Sequence, residues 1–343
     1  MRLTLLVPEL IWPEPNDQLT LGKLAAPGFE WLVAHAEFSR QPRRAFEDTL
    51  ADQFGLSDAP FGALRLLGET GKRQVEDGHW LCADPVHLRL YQERIILAAA
   101  SAFDLGADEA DAIVAALNAE FADVGEFRAA SSGRWYLRLK EPVDHPVAPL
   151  SAVAGRRVAG EINSSALPLT RWLNEVQMFL HTHPLNAQRE QAGQPAINSL
   201  WLWGGGRLPD TMAPSFSAVF SGDPLAIGLA RAAGLPAHDR PASLAALPAT
   251  TGKNPLVILD QLLPRVLYED GEGWRTAFEK LENDWFAPLQ KALGKQVDRV
   301  SLIAPTIYGE LHYTVDASQR WKFWKSAPPI QNIAEQLAGK TTA

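Results

Sequence analysis

Short apolar runs recur along the chain and predict buried strands, because strands covered on both faces of a parallel sheet carry few polar residues. The first run spans 3–7 and stops at Pro8. Runs of the same kind occupy 217–220, 256–260 and 299–304. The beginning and the last third of the chain are therefore predicted to supply the strands of one sheet.

Helical spacing of apolar residues occupies the segments between these runs. A helix is predicted over 108–122, where apolar residues recur every four positions and acidic residues lie at the N-terminal end. Residues 28–50 are also helix-like in their spacing of apolar residues. Asp223 is placed to cap a helix that follows 217–220. A long amphipathic helix is predicted from one apolar stripe, which consists of Trp274, Phe278, Leu281, Trp285 and Leu289. Helices that alternate with strands imply an α/β fold with a mostly parallel sheet flanked by helices.

A different pattern occupies the middle of the chain. In 134–139 apolar and polar residues alternate, which predicts a strand with one solvated face. The proline-rich stretch 141–149 has the composition of a connector. We therefore predict an inserted α+β subdomain over 70–180, between a first part of the α/β core (1–69) and a second part (181–343).

Composition narrows the possible functions. The 343 residues carry a net charge of −8 and no long basic run, so general nucleic-acid binding is not expected. No apolar run approaches the roughly 20 residues that span a bilayer, so no membrane partner is expected either. The single cysteine, Cys82, cannot form an internal disulfide, which favours a cytoplasmic location. The basic-aromatic segment 320–325 is expected to lay its rings on the core.

The most informative motif lies in residues 181–209. A strand through SLWLW would place Trp201 and Trp203 on one face, and three glycines then free the backbone for a tight turn or a close approach to a ligand. The motif resembles the archaeal-type cofactor-independent phosphoglycerate mutases of the alkaline phosphatase superfamily. The matching residues are His183, Pro184, Asn186, Arg189, Gly193, Pro195, Ala196, Asn198, Trp201, Trp203, Gly204 and Gly206.

The resemblance implies an alkaline phosphatase-like core, two divalent metals and a Ser or Thr nucleophile. The sequence departs from this pattern after each strand that should carry ligands. Glu9 follows a proline where the family has Asp-Gly, and Ser57 reaches the nucleophile position only with a two-residue shift. Asp260 and Asp270 occur without the expected histidine, and Pro305 begins the segment in which an Asp-His pair should lie.

These departures predict a phosphoglycerate mutase-like protein that has lost the two-metal site and acts as a non-catalytic regulatory or ligand-binding protein, with no cofactor. The chain is similar to a bacterial regulatory-protein group of RpfE type in the proline that replaces Asp, in ADPVHL (83–88) and in WLWGGG (201–206). The expected partner is an unknown protein or a small phosphorylated or carboxylated ligand. The predicted ligand-binding residues are Glu9, Trp203, Gly204, Gly205, Gly206, Arg207 and Asp260.

Arg207 is the best anion-binding candidate, because a guanidinium can grip a phosphate or carboxylate with two hydrogen bonds and glycine amides can add donors. By contrast, His183, Asn186 and Arg189 are expected to cap and hydrogen-bond the backbone.

The alternative is a metal-dependent phosphotransferase, either a phosphoglycerate mutase or a phosphatase, with a rebuilt site. Ser57 would be its nucleophile. Mn or Zn would be bound with help from Asp270, Glu310 and His312. Because Glu310 and His312 are two residues apart, an extended segment would point both side chains to one side.

Overall fold

The protein is described by a computed structural model. It describes residues 1–71, 75, 78–91, 94–143, 147–155, 169–212, 214–248, 252–322 and 324–339. The contacts between residues divide the chain into two compact units. The first unit combines Met1–Gly55 with Ala213–Ala343, and the second unit is the continuous segment Leu56–Met212.

Strands and helices alternate through much of the described chain. The strands are β1 (Arg2–Leu6), β2 (Glu37–Gln41), β3 (His79–Tyr91), β4 (Arg94–Ala99), β5 (Gly125–Ser131), β6 (Arg134–Leu139), β7 (Ser199–Gly206), β8 (Ala218–Phe220), β9 (Ala237–His238), β10 (Pro255–Ile258), β11 (Arg299–Thr306) and β12 (Gly309–Asp316). The helices are α1 (Pro27–His35), α2 (Phe46–Asp52), α3 (Phe61–Thr70), α4 (Ala107–Glu120), α5 (Leu150–Val153), α6 (Thr170–Thr182), α7 (Pro184–Gln191), α8 (Pro224–Ala232), α9 (Leu263–Leu267), α10 (Gly271–Leu281), α11 (Ala287–Ala292) and α12 (Ile330–Gly339).

The first unit is built on a seven-stranded sheet with the order β2-β12-β11-β1-β10-β8-β9. β1 runs parallel to β10 and β11, and the parallel arrangement continues through β8 to β9. β12 and β2 extend the other side of the sheet in antiparallel pairs. The predicted α/β class, with a mostly parallel sheet flanked by helices, is confirmed.

The apolar stripe predicted for a long helix lies in the core of the first unit. Its five residues are all buried, and they follow α10, a π-helical turn over Glu282–Phe286, and α11 without a break. Phe29 of α1 lies against this stripe, with its ring centroid 5.4 Å from that of Phe278 and 5.4 Å from that of Phe286. The π turn therefore lies where α1 is packed.

The prediction of a helix over 28–50 is wrong. α1 ends at His35, and the chain then forms the edge strand β2 before α2 begins at Phe46. Helical spacing of apolar residues stops at Ala36, and the residues that follow pair with β12. Pairing with the neighbouring strand therefore determines the structure of this segment.

The second unit is built on an antiparallel sheet. Its strand order is β4-β3-β6-β5, and β7 pairs with the other edge of the long strand β3. The predicted strand 134–139 is β6, and the helix predicted over 108–122 is α4. The interval 70–180 predicted as an inserted subdomain falls within this unit. The unit also contains α3 and β7, because α3 packs on β3 and β7.

The basic-aromatic segment near the C-terminus differs from expectation. Trp321 and Trp324 are 66% and 70% exposed, so their rings do not lie on the core. The guanidinium of Arg320 instead stacks over the Trp321 ring, 4.5 Å from its centroid. Across the part of the chain that is described, none of the helices has the length and apolar character needed to cross a bilayer.

Candidate functional site

A buried network in the second unit joins α3 to two of the motifs that carry the family resemblance. Both guanidinium Nη atoms of Arg65 donate to the carboxylate of Asp84, at 2.9 and 2.6 Å. The indole Nε1 of Trp203 donates to the same carboxylate, at 2.9 Å. Arg65 comes from the leucine-rich α3, Asp84 from ADPVHL and Trp203 from WLWGGG. We call these three residues the motif network; they are all buried.

Tyr136 extends the motif network across the sheet. Its hydroxyl accepts a hydrogen bond from Arg65 Nε at 2.9 Å and donates one to Glu69. Burial alone would lower the pKa of Arg65, but the charge of Asp84, the hydrogen bond to Asp84 and the neighbouring Cys82 and Tyr136 together outweigh burial and raise this pKa well above its ordinary value. The motif network thus holds a permanent ion pair inside the unit, and the side chain of Trp203 is engaged with protein rather than solvent.

The three glycines after Trp203 allow α3 to approach β7. Gly204 has a φ of 64°, and a Cβ there would lie 2.5 Å from the Cβ of Phe61. A Cβ on Gly206 would lie 2.6 Å from that of Pro60. Only glycine tolerates both the backbone angle at Gly204 and this proximity. The glycines were expected to allow a tight turn or a close approach to a ligand, whereas in the structure Pro60 and Phe61, at the start of α3, make the close approach.

The residues His183, Asn186 and Arg189 have structural partners. His183 caps α7 by accepting from Leu185 N at 3.3 Å. The Asn186 amide bonds the backbone of Leu180 and Ile197. Arg189 donates to the carbonyls of Pro195 and Asp104 and to the Glu109 carboxylate. The expected capping and backbone hydrogen bonding are therefore present.

A basic pocket lies at one end of the antiparallel sheet in the second unit. It is a cavity of about 520 Å³, formed where β3 and β5 begin and where β6 and β7 end. Three cations line it, Arg138, Lys140 and Arg207. All three are exposed, and their side chains form no ion pair with the described part of the chain. His79 and Asn118 add polar atoms to the wall.

The strand register explains why these cations meet. Arg138 and Lys140 are two residues apart at the end of β6, so they share one face. Trp80 of β3 lies between Arg138 on one side and Gly206, next to Arg207, on the other. Glu126 lines the same pocket, but its carboxylate pairs with Arg128 at 2.9 Å. The pocket therefore has an excess of positive charge.

Two predicted ligand-binding residues lie at the carboxyl edge of the parallel sheet in the first unit. Glu9 and Asp260 follow the neighbouring strands β1 and β10. Glu9 is buried with a φ of 54°, and its backbone carbonyl accepts from Trp274 Nε1 at 3.0 Å. Asp260 forms an ion pair with Arg240. Trp203, the glycines and Arg207 belong to the second unit, so the predicted ligand-binding set is divided between the two units.

The candidates for a rebuilt metal site are engaged by protein donors. Asp270 caps α10 by accepting from Gly273 N at 2.8 Å and also pairs with Arg265. The Gly273 amide, followed by the Arg265 guanidinium, lowers the pKa of Asp270. Ser57 is exposed in a bend between α2 and α3. Among the described residues, no group of three or more His, Cys, Asp or Glu could hold a metal ion. The carboxylates as arranged do not fit a two-metal centre.

Glu310 and His312 do share one side of a strand, and they interact. Both lie in β12, which returns antiparallel beside β11. His312 Nε2 lies 2.6 Å from Glu310 Oε1, and Thr49 Oγ1 donates to Glu310 Oε2 at 2.6 Å. Burial alone would raise the pKa of Glu310, but the hydrogen bonds from His312 and Thr49 outweigh burial and lower it.

Acid is expected to remove the stabilisation that Glu310 provides. Because its folded-state pKa lies below the ordinary value of 4.5, this stabilisation is present above that pH and is lost as the pH falls through the folded pKa. E310Q should cost about 2 kcal/mol of unfolding free energy at pH 7, and the cost should shrink as the pH falls below 4.5 and through the folded pKa of Glu310. Urea unfolding of both proteins across this range measures the difference. A cost that stays constant with pH would contradict the expectation.

Arg207 was predicted from the sequence, but the other cations of the basic pocket were not. Arg138 is one of the polar positions of the alternating strand 134–139, and Lys140 belongs to none of the motifs. The alternation did signal that these side chains point away from the apolar face. The register that brings them beside β7 is not visible in the sequence, because β6 and β7 are joined through β3 rather than to each other.

No protein-family model matches the chain, and no curated protein matches it. Among solved structures, the PH0037 protein from Pyrococcus horikoshii is similar with a TM-score of 0.53, over 99% of this chain and 96% of that chain, at 13% identity. A cofactor-independent phosphoglycerate mutase from Thermoplasma acidophilum DSM 1728 is similar with a TM-score of 0.41, over 99% and 100% of the two chains, at 17% identity. The likeness to the PH0037 protein shows a shared fold.

Proposed function

We propose that this chain is a phosphoglycerate mutase-like protein of the RpfE-type regulatory group that no longer performs two-metal phosphotransfer and instead binds a small phosphorylated or carboxylated ligand. The observation that carries the proposal is the convergence of Arg138, Lys140 and Arg207 on one pocket. The motif resemblance in 181–209 supports the family, and the altered residues after the strands support the loss of phosphotransfer.

The chemistry of the pocket favours an anion over a neutral ligand. Two guanidinium groups can each grip a phosphate or carboxylate with paired hydrogen bonds, whereas a lysine adds a point charge. Glu126 opposes an anion, but its pairing with Arg128 offsets its charge. A volume of about 520 Å³ suits a small metabolite, since ligand pockets range over about 300–1,000 Å³.

Replacing Arg207 is expected to weaken anion binding at least tenfold, because a hydrogen bond to a charged group contributes about 1.5–3 kcal/mol. The probe is 3-phosphoglycerate, which carries a phosphate and a carboxylate, and glycerol is the neutral comparison. Isothermal titration of wild type, R207Q and R138Q measures the effect. R171Q, which removes an exposed arginine of α6, is the matched control. Equal affinity in R207Q, R138Q and R171Q, or no binding by wild type, would contradict the proposal.

The alternative, a metal-dependent phosphotransferase with a rebuilt site, is favoured by one observation: the contact between Glu310 and His312. Titration of chelator-stripped protein with Mn²⁺ and Zn²⁺ separates the two functions. We expect no tight site, because the candidate carboxylates already accept hydrogen bonds from protein donors. Two tight sites that disappear in a variant carrying both E310Q and H312N would support the alternative.

A further inference from the structure

The central strands of the first unit carry an unusual polar row on the sheet face that points away from the main core. Parallel strands inside a sheet are normally apolar on both faces. Here Thr4 of β1 is paired with Ser301 of β11, and Ser301 is paired with Thr314 of β12. Residues of the opposite face, such as Leu3 and Leu302, belong to the main core. The apolar face of a packed helix would leave these hydroxyl groups without hydrogen-bond partners, so the row indicates a polar partner.

A cavity of about 290 Å³ lies over this row, and we call it the sheet-face cavity. Its floor includes Thr4, Ser301 and Thr314. The three hydroxyl groups form no hydrogen bond with another described residue, although Thr4 is only 8% exposed. Since neighbouring strands lie about 4.8 Å apart, the row offers hydroxyls at regular intervals. The hydroxyl groups of such a row can donate hydrogen bonds to several hydroxyl groups of one ligand and accept hydrogen bonds from them.

Charge distinguishes the two ends of the sheet-face cavity. At one end lie Arg2 of β1 and Arg299 of β11, which are opposite each other in the register of the two strands. Arg299 is bonded to Asp316 through Nε and Nη2. The side chain of Arg2 forms no hydrogen bond or ion pair with the described residues and acts on Asp298 only through its charge, so Arg2 is the cation available to an anion. At the other end His312 lines the cavity and is held in place by Glu310.

The cavity wall supplies an apolar surface as well. Phe216 lines the cavity and lies against Phe54, with 5.9 Å between ring centroids. Gln53 and Asn254 complete the wall with amide groups. An aromatic face beside convergent polar groups is typical of a small-molecule site, and a volume at the low end of the usual range excludes a nucleotide-sized ligand.

We propose that the sheet-face cavity binds a small polyhydroxylated organic anion. Its carboxylate or phosphate contacts Arg2, its hydroxyls contact the row of Thr4, Ser301 and Thr314, and its carbon skeleton packs on Phe216. The site is separate in sequence and in structural unit from the basic pocket, so neither proposal depends on the other.

Isothermal titration of the full chain with D-gluconate and with D-glucose 6-phosphate tests this proposal and distinguishes a carboxylate from a phosphate. At least one probe should bind ten times more tightly than D-glucose and ten times more tightly than acetate or inorganic phosphate. S301A and R2Q should each weaken binding of that probe at least fivefold, with unchanged circular dichroism and thermal midpoint.

S326A is the matched control: it removes an exposed serine elsewhere in the first unit and should bind the probe as the wild type does. R207Q alters the basic pocket, which is itself proposed to bind phosphorylated or carboxylated ligands, so this variant shows how much of the probe binding occurs there. No binding of either probe, binding that survives unchanged in S301A and R2Q, or binding lost in R207Q alone would overturn the proposal. Retained probe binding with failed 3-phosphoglycerate binding would contradict only the basic-pocket function.

Discussion

Replacing Asp84 by asparagine is expected to lower the free energy of unfolding of the second unit by about 3–5 kcal/mol, which is the usual cost of leaving one member of a buried ion pair without its partner. The guanidinium of Arg65 would stay buried and charged, because arginine is effectively always protonated in proteins. Trp203 would also lose the charged acceptor of its indole N–H. Urea unfolding followed by tryptophan fluorescence measures the loss.

The matched control for D84N is E126Q in the same unit. Glu126 pairs with Arg128, but their side chains are 50% and 32% exposed, so the loss of this pair should cost about 0–1 kcal/mol. W203F leaves the ion pair but removes one hydrogen bond and part of a buried ring system, so it should cost about 1–3 kcal/mol. If D84N cost no more than E126Q, the motif network would not stabilise the unit as described.

Replacing Glu282 by alanine is expected to cost the first unit about 3 kcal/mol, because two buried backbone donors would lose their acceptor. Glu282 is 4% exposed and lies at the start of the π turn. Its carboxylate accepts from Gly28 N at 2.7 Å and from Phe29 N at 2.9 Å. It therefore caps the N-terminus of α1, where a negative charge is also favoured by the helix dipole. The π turn positions this carboxylate from a segment about 250 residues away in sequence.

Unfolding in urea and hydrogen exchange at the amides of Gly28 and Phe29 test this role together. E282A should accelerate exchange at both amides, since their protection depends on the carboxylate. E279A is the control: Glu279 lies in α10, just before the π turn, and its pair with Arg275 is largely solvent-exposed, so about 0.5 kcal/mol or less is expected. Equal losses in E282A and E279A, with unchanged exchange, would show that α1 does not need this cap.

The sequence predicted the elements whose patterns are local. The helix α4, the strand β6 and the stripe through Trp274 and Trp285 follow directly from the spacing of apolar residues. The cap of α8 by Asp223 was also predicted, and its carboxylate accepts from Ala226 N at 3.0 Å. Each of these features depends on residues within a few positions of one another, so a single sequence contains the signal.

Features that depend on distant pairing were not predictable. β2 forms because it pairs with β12, and the residues 37–41 alone contain no signal for this pairing. The motif network joins Arg65, Asp84 and Trp203 from three separate segments, which meet only because α3 packs on β3 and β7. The cations of the basic pocket likewise meet only through strand register. The set of ligand-binding residues remains a prediction. Of its members, Arg207 lies in a pocket that is also lined by Arg138 and Lys140.

The division of the chain has a consequence for how the protein is made. β1 pairs with strands that begin at Pro255 and Arg299. At about 5–20 residues per second, a ribosome needs roughly 15–60 s to synthesise the chain between β1 and β11. The second unit is continuous in sequence and can close its sheet once β7 has emerged. The second unit can therefore be folded while the apolar strand β1 is still unpaired, because β10 and β11 are synthesised later.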